Sequence, residues 1–293
     1  MGGASDHMGA GSTVNGITVA AVQLTARPLI GEASLRAWLE PVVAEAVDRG
    51  AELVVLPAGI GHLLLPGPGT TPTGMETAWM AFEHVGRELA RRFRVYLEGG
   101  TALRIAEGKV WHSSCLFSPD GDVLLIQSQT HYAPGEPAPW VLADQLETIA
   151  IGPARIGLVV DSDIYYPEVS RILALQGANL LLHPSARRWP AAGWRAGLWR
   201  EVQANQTFGV ESPLIGEVWG RSVMGRAMIH APIGVPGASE GVLISGPMEP
   251  VSAVIVAYLD FEALAKTIAA YPIFDVMNPR LYYRYFPRIY EEA

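Results

Sequence analysis

Thiols and amines are scarce in this chain of 293 residues, which has one cysteine, Cys115, and two lysines, Lys109 and Lys266. A single thiol excludes a disulfide framework and any cysteine-based metal cluster, and it fits a reducing compartment, for which the cytoplasm is the default. Charge is thin as well. Charged residues make up 17% of the chain, below the ~25% of ordinary soluble proteins. Hydrophobic residues make up 49%, a balance that implies a large core and a buried subunit interface. The 21 Lys and Arg against 29 Asp and Glu leave a net charge of −8 without a basic cluster. That excludes the electrostatic footprint of a nucleic-acid partner. Long apolar runs are missing too: Ile17 to Leu24 and Val251 to Leu259 stop well short of the ~20 residues that cross a bilayer, so no membrane span is expected. Residues 1–16 are Gly/Ser-rich, with Asp6 and neither a basic start nor an apolar stretch. They read as a disordered segment or an expression remnant, not a secretory signal.

What is present alternates between β-branched runs and amphipathic stretches. Ile17 to Leu24, Ala33 to Asp48 and Glu52 to Leu56 read as strand, helix, strand, with Pro41 expected to kink or restart the helix. Met75 to Arg92 is a second helix. Val95 to Glu98, Val110 to Ser118 and Val123 to Ser128 are strands, the last two joined by a Pro119-Asp120-Gly121 turn. The pattern repeats with Arg155 to Val160, a helix over Glu168 to Leu175, a strand over Asn179 to His183 and a helix from about Ala191 to Gln206. Strands follow at Val210, Ala227 to His230, Gly241 to Ser245 and Val251 to Ala257, then a helix over Phe261 to Ala270. This organisation predicts one α/β domain over residues 17–272 and a C-terminal tail, 273–293, whose Leu281-Tyr282-Tyr283-Arg284-Tyr285-Phe286 run has the residue types of an interface arm. A homodimer or higher homo-oligomer is expected.

Four segments carry a resemblance. They are Leu53-Val54-Val55-Leu56-Pro57; Gln129-Thr130-His131 with Pro134-Gly135-Glu136; Gly157 to Val160 running into Asp161-Ser162-Asp163 and Pro167-Glu168-Val169-Ser170-Arg171; and Leu182-His183-Pro184-Ser185-Ala186. A fifth comprises Glu201 with Asn205, then Gly225-Arg226-Ala227-Met228. Together they resemble the nitrilase superfamily, carbon-nitrogen hydrolases that cleave nitriles, amides and carbamoyl groups. The resemblance implies a four-layer α-β-β-α sandwich that pairs through its outer helices, and chemistry by a Cys nucleophile, a Glu base and a Lys that stabilises the oxyanion. At the matching positions this chain has Ala58 for Glu, Gln129 for Lys and Asp161 for Cys. No register restores the set, because Cys115 lies two strands earlier and neither lysine is near a matching segment. A thiol needs its base, and a cation at the oxyanion is commonly the largest rate contribution.

The surrounding residues persist. Glu136 matches a second family glutamate, Asp163, Glu168 and Arg171 match positions that tie the nucleophile turn to the next helix, Arg187, Arg188 and Trp189 fall in the loop where the family shapes its pocket, and His131 follows the lost lysine. His183 is a weaker candidate. Three readings follow: a non-catalytic module that binds a ligand or assembles; a hydrolase of altered chemistry on a C–N substrate using Asp161 with Glu136 and His131; and a metal site built from Glu136, Asp161, Asp163 and His131, whose spacing fits no metal motif. The first is preferred, with no cofactor or metal. With the lysine gone, Asp161 and Glu136 make the pocket acidic, so the pair is expected to share a proton, recruit Arg187 or bind a cation.

Overall fold

The computed structural model describes residues 15–133, 140–187 and 197–291. Its centre is β1 (Gly16–Thr25), where Val19, Ala20, Ala21 and Val22 are all fully buried. Both faces of this strand are covered, so its sequence is a nearly continuous apolar run without alternation. β1 pairs in parallel with β2 (Leu53–Val55). Beyond β2 lie β3 (Tyr96–Ala106), β4 (Lys109–Phe117) and β5 (Val123–Ser128).

The second sheet runs β6 (Thr148–Ile151), β7 (Ala154–Leu158), β8 (Leu180–Ser185) and β9 (Phe208–Val218). β10 (Arg221–Val223) folds back on β9, while β11 (Met228–His230) pairs with both β9 and β12 (Val242–Ser245). The chain then returns as β13 (Ala253–Asp260), antiparallel to β1. The two sheets meet where Leu24 and Thr25 pair with Leu214 and Ile215.

Three apolar layers make the expected four-layer sandwich. α1 (Gly31–Asp48) and α2 (Pro72–Phe93) cover the first sheet, burying Leu35, Val43, Phe82, Val85 and Leu89 against Val54, Leu97 and Phe117. Val19, Val55 and Leu116 of the first sheet meet Ile156, Leu182 and Val210 of the second. α3 (Pro167–Leu175) and α4 (Leu198–Asn205) close the other side with Val169, Leu173, Leu198 and Val202 over Val159 and Leu181. Alternate residues along a strand therefore face different layers: Leu116 points between the sheets, while Cys115 and Phe117 point at α2.

Several boundaries differ from the sequence reading. α1 runs unbroken through Pro41. Pro41 and Ala37, whose carbonyl loses its helical partner, are both exposed, so water can satisfy that carbonyl. The first strand begins at Gly16, and Asn15 accepts a hydrogen bond from the Phe261 amide. β6 and β10 were not anticipated, being too short to show a period. Of the long helix from Ala191, the described part is α4, and residues 191–196 lie outside the described residues. After α5 (Phe261–Ala270), capped by the Asp260 carboxylate, the tail forms α6 (Pro279–Glu291), none of whose residues is buried.

Candidate ligand site at the strand ends

Ligands of α/β sheets sit beyond the carboxyl ends of the parallel strands, and four connecting segments converge there. The turn after β2 is pressed onto β3 because Gly100 (φ 79) leaves no Cβ between itself and the Pro57 carbonyl, where a Cβ would come within 2.0 Å. The next residues bring Ala58, fully buried, and Gly59, whose amide donates to Thr101 Oγ1 at 2.8 Å. A Cβ on Gly59 would stand 3.6 Å from that of Ala186, at the end of β8.

Gln129 follows β5 and is fully buried, and its amide is committed on both sides. His112 Nδ1 lies 2.5 Å from Oε1, and Nε2 donates to the His131 carbonyl at 2.5 Å and to Ser162 Oγ. His112 Nε2 meets Thr101 Oγ1 at 2.7 Å. Because an amide oxygen only accepts, Nδ1 carries the proton and Thr101 donates to Nε2. A directed chain therefore runs from the Gly59 amide through Thr101, His112 and Gln129 to Ser162.

Asp161 stands at the first turn after β7 with a left-handed backbone (φ 46) and a partly exposed side chain. Its Oδ1 accepts the Ala186 amide at 2.9 Å. Asp163 is fully buried and accepts from the Thr130 amide (3.0 Å), the Thr130 hydroxyl (3.0 Å) and the His131 amide (2.8 Å). Its carboxylate thus ties the turn to the segment after β5, while its carbonyl accepts from the amide of Tyr166 at the start of α3 (3.1 Å). Glu168 instead accepts from Tyr290, and Arg171 donates to the Ala204 carbonyl and lies over the Phe274 ring. His131 stacks on Tyr166, with centroids 4.0 Å apart, and its Nδ1 meets the Thr130 hydroxyl. Those commitments use the oxygens that a metal site with Asp163 would need. Among the described residues, the set spaced to hold a metal ion is Glu32, His84 and Glu88, where Arg36 already pairs with both glutamates.

Arg187 pairs with a residue not anticipated from the sequence. Its guanidinium forms a buried ion pair with Glu211, which stands opposite His183 in the β8–β9 register. Burial pulls the Arg187 guanidinium below its ordinary value, and the nearby Tyr165 and Asp161 work against that. Glu211 Oε2 lies 3.7 Å from His230 Nε2. Burial depresses His183 to about 3 and His230 to about 4, with Arg187 adding to both effects. Glu136, Arg188 and Trp189 lie outside the described residues.

The thiol and the amines are elsewhere. Cys115 is fully buried on the α2 side of β4, and burial pushes its thiol far up. Lys109 begins β4, and Lys266 pairs with Glu262 on α5. One more carboxyl escaped the sequence reading. Glu98 is fully buried between the sheets, accepts from Ser114 and the Gly100 amide, and is raised to about 8 by burial. Its signal was a lone acid inside a strand.

An α-β-β-α sandwich with its site at these strand ends is the architecture of a carbon-nitrogen hydrolase. The carbon-nitrogen hydrolase family model matches residues 18–267, and the chain belongs to that family. It is 24% identical over 257 residues to omega-amidase NIT2 of Bos taurus, an alignment covering 82% of this chain and 88% of that protein. Over 182 residues it is 31% identical to the deaminated glutathione amidase of Synechocystis sp. (strain PCC 6803 / GT-S), covering 57% and 65%. Among solved structures, the carbon-nitrogen hydrolase from Helicobacter pylori G27 superposes with a TM-score of 0.78 at 18% identity, covering 92% of this chain and 98% of that one. A mutant of the amidase from Nesterenkonia sp. AN1, with an acetamide moiety added covalently at its active site cysteine, superposes at 0.74 and 19% identity over 92% and 96%.

Proposed function

We propose that this chain is a non-hydrolytic member of the carbon-nitrogen hydrolase family, a ligand-binding or assembly module acting as a homo-oligomer. The observation that carries the reading is the state of positions 129 and 161. Gln129 has both ends of its amide engaged inside the protein, and the Asp161 carboxylate is bonded to the Ala186 amide. The one thiol is buried behind β4, so among the described residues no thiol, base and cation come together at this site, and such groups act together and non-additively.

Support for a second reading comes from the names of the relatives, omega-amidase and deaminated glutathione amidase. In it, Asp161 and Glu136 hydrolyse a C–N substrate by altered chemistry. One assay separates the two: purified protein with a panel of nitriles, amides and N-carbamoyl compounds, read by ammonia release. The non-hydrolytic reading expects none above a heat-denatured control. Release abolished by Asp161→Asn would establish the second.

A further inference from the structure

α6 winds its side chains into rows four residues apart. Arg280, Arg284 and Arg288 form one row, and Leu281, Tyr285 and Ile289 form the next, all of them outside the core. A helix with an apolar row beside a basic one is suited to an apolar groove with an acidic edge. α1, the turn before α2 and α2 itself enclose such a groove, of about 700 Å³. Leu64, Leu65, Pro66, Ala78, Met80 and Ala81 line it, and Met80 is 69% exposed. It follows α2 from Thr73 to His84, about 16 Å at the rise of a helix, against about 12 Å from Leu281 to Ile289 on α6. Its edge is acidic: Glu32 lines it, Glu76 stands exposed one turn before Met80, and Glu88 lies one turn beyond His84. These three outnumber Arg36, which pairs with Glu32 and Glu88, while Glu32 also meets His84. In a chain of net charge −8, α6 has three Arg against Glu291 alone.

Helix and groove belong to opposite outer layers of the sandwich. Tyr290 donates to Glu168 at 2.8 Å, which holds α6 on the α3 side, and α1 and α2 lie beyond both sheets. We propose that α6 of one copy docks in the α1–α2 groove of a second copy, with Leu281, Tyr285 and Ile289 in the groove and the Arg row along Glu32 and Glu76. Because the two surfaces differ and face away from each other, the contact is heterologous, and its repetition gives a ring or an open chain of copies. Resting on the reading of the protein as a homo-oligomer, the inference names the surfaces that assemble.

Two full-length variants separate the halves of the contact. Thr77→Arg with Met80→Arg blocks the groove at two exposed positions, and Tyr285→Glu with Ile289→Glu spoils the helix, none of whose residues is buried. Circular dichroism checks that each folds, and sedimentation velocity is run over a range of micromolar concentrations. Wild type is expected to grow in mass with concentration, and each variant alone to lose that growth. An equimolar mixture of the two is expected to restore a larger species, because each supplies the half that the other lacks. Assembly of either variant like wild type, or a mixture no larger than its components, overturns the proposal and leaves the homo-oligomer reading standing. A wild type that is monomeric throughout overturns both. Pelleting of wild type, but not of the helix variant, with phosphatidylserine vesicles assigns α6 to a lipid surface and likewise overturns the docking. Should the helix variant not fold, Arg284→Glu with Arg288→Glu takes its place and must give the same loss and the same rescue.

Discussion

His112 donates its Nδ1 proton to Gln129 Oε1 across 2.5 Å, so the side chain at position 129 is shaped to face a donor. A lysine there would bring a second donor against the imidazole, along with a buried charge. We expect Gln129→Lys to destabilise the fold by about 3 kcal/mol, read as a lower urea midpoint. Adding Ala58→Glu should recover about 1 kcal/mol or more of that through pairing across the pocket. Strictly additive costs would show that the two positions do not face each other.

Glu98 makes stability fall as pH rises. Its folded value is raised from 4.5 to about 8. The folded state therefore holds a proton that the unfolded state has released, and the contribution is complete below 4.5 and lost between 4.5 and about 8. The slope approaches roughly 1.4 kcal/mol per pH unit within that window. Glu98→Gln keeps an oxygen for Ser114 and Gly100 without the charge. Its unfolding free energy should lose this slope and exceed that of wild type at pH 8. Denaturation curves at pH 5 and 8 check both points.

His183 and His230 act in the opposite direction. Their folded values are depressed from 6.5 to about 3 and about 4. Both rings stay neutral in the fold while the unfolded chain protonates. Their contribution is present above 6.5 and is lost as pH falls toward 4 and then 3. His230→Gln should flatten the acid limb by up to roughly 1.4 kcal/mol per pH unit over its window. An unchanged acid midpoint would argue against a buried neutral imidazole.

The tail carries its aromatic side chains along one helix without burying them. Tyr282, Phe286 and Tyr290 meet in series, tilted and then edge to face, with centroids 5.3 and 5.6 Å apart, and Tyr290 donates to Glu168 on α3. Deletion after Asn278 should lower the oligomeric state without unfolding the core, as seen by sedimentation and circular dichroism. A wild type that sediments only as a 31.5 kDa monomer at micromolar concentration would reject the assembly.

Most strands and helices were legible because each is covered on a known number of faces. β1, buried on both, is a continuous apolar run, and α2 has its apolar stripe from Met75 through Leu89. The family resemblance pointed to Ala58, Gln129 and Asp161, which the structure puts just after β2, β5 and β7. Asp163 illustrates the limit: its matching position suggested a tie to the helix after it, which its carbonyl makes through the Tyr166 amide, yet its carboxylate turns to Thr130 and His131.

The sequence by itself determined the alternation of elements and the scarcity of thiols and lysines, since these depend only on residue type and local period, while the layered sandwich and the positions Ala58, Gln129 and Asp161 followed from the family resemblance. Tertiary structure decided which polar groups meet. The bonds from His112 to Gln129, from Ala186 to Asp161 and from Arg187 to Glu211 join residues 17, 25 and 24 positions apart. Such pairings are set by strand register and by the turns that aim each side chain. A shift of one residue would send every partner to the opposite face of its sheet.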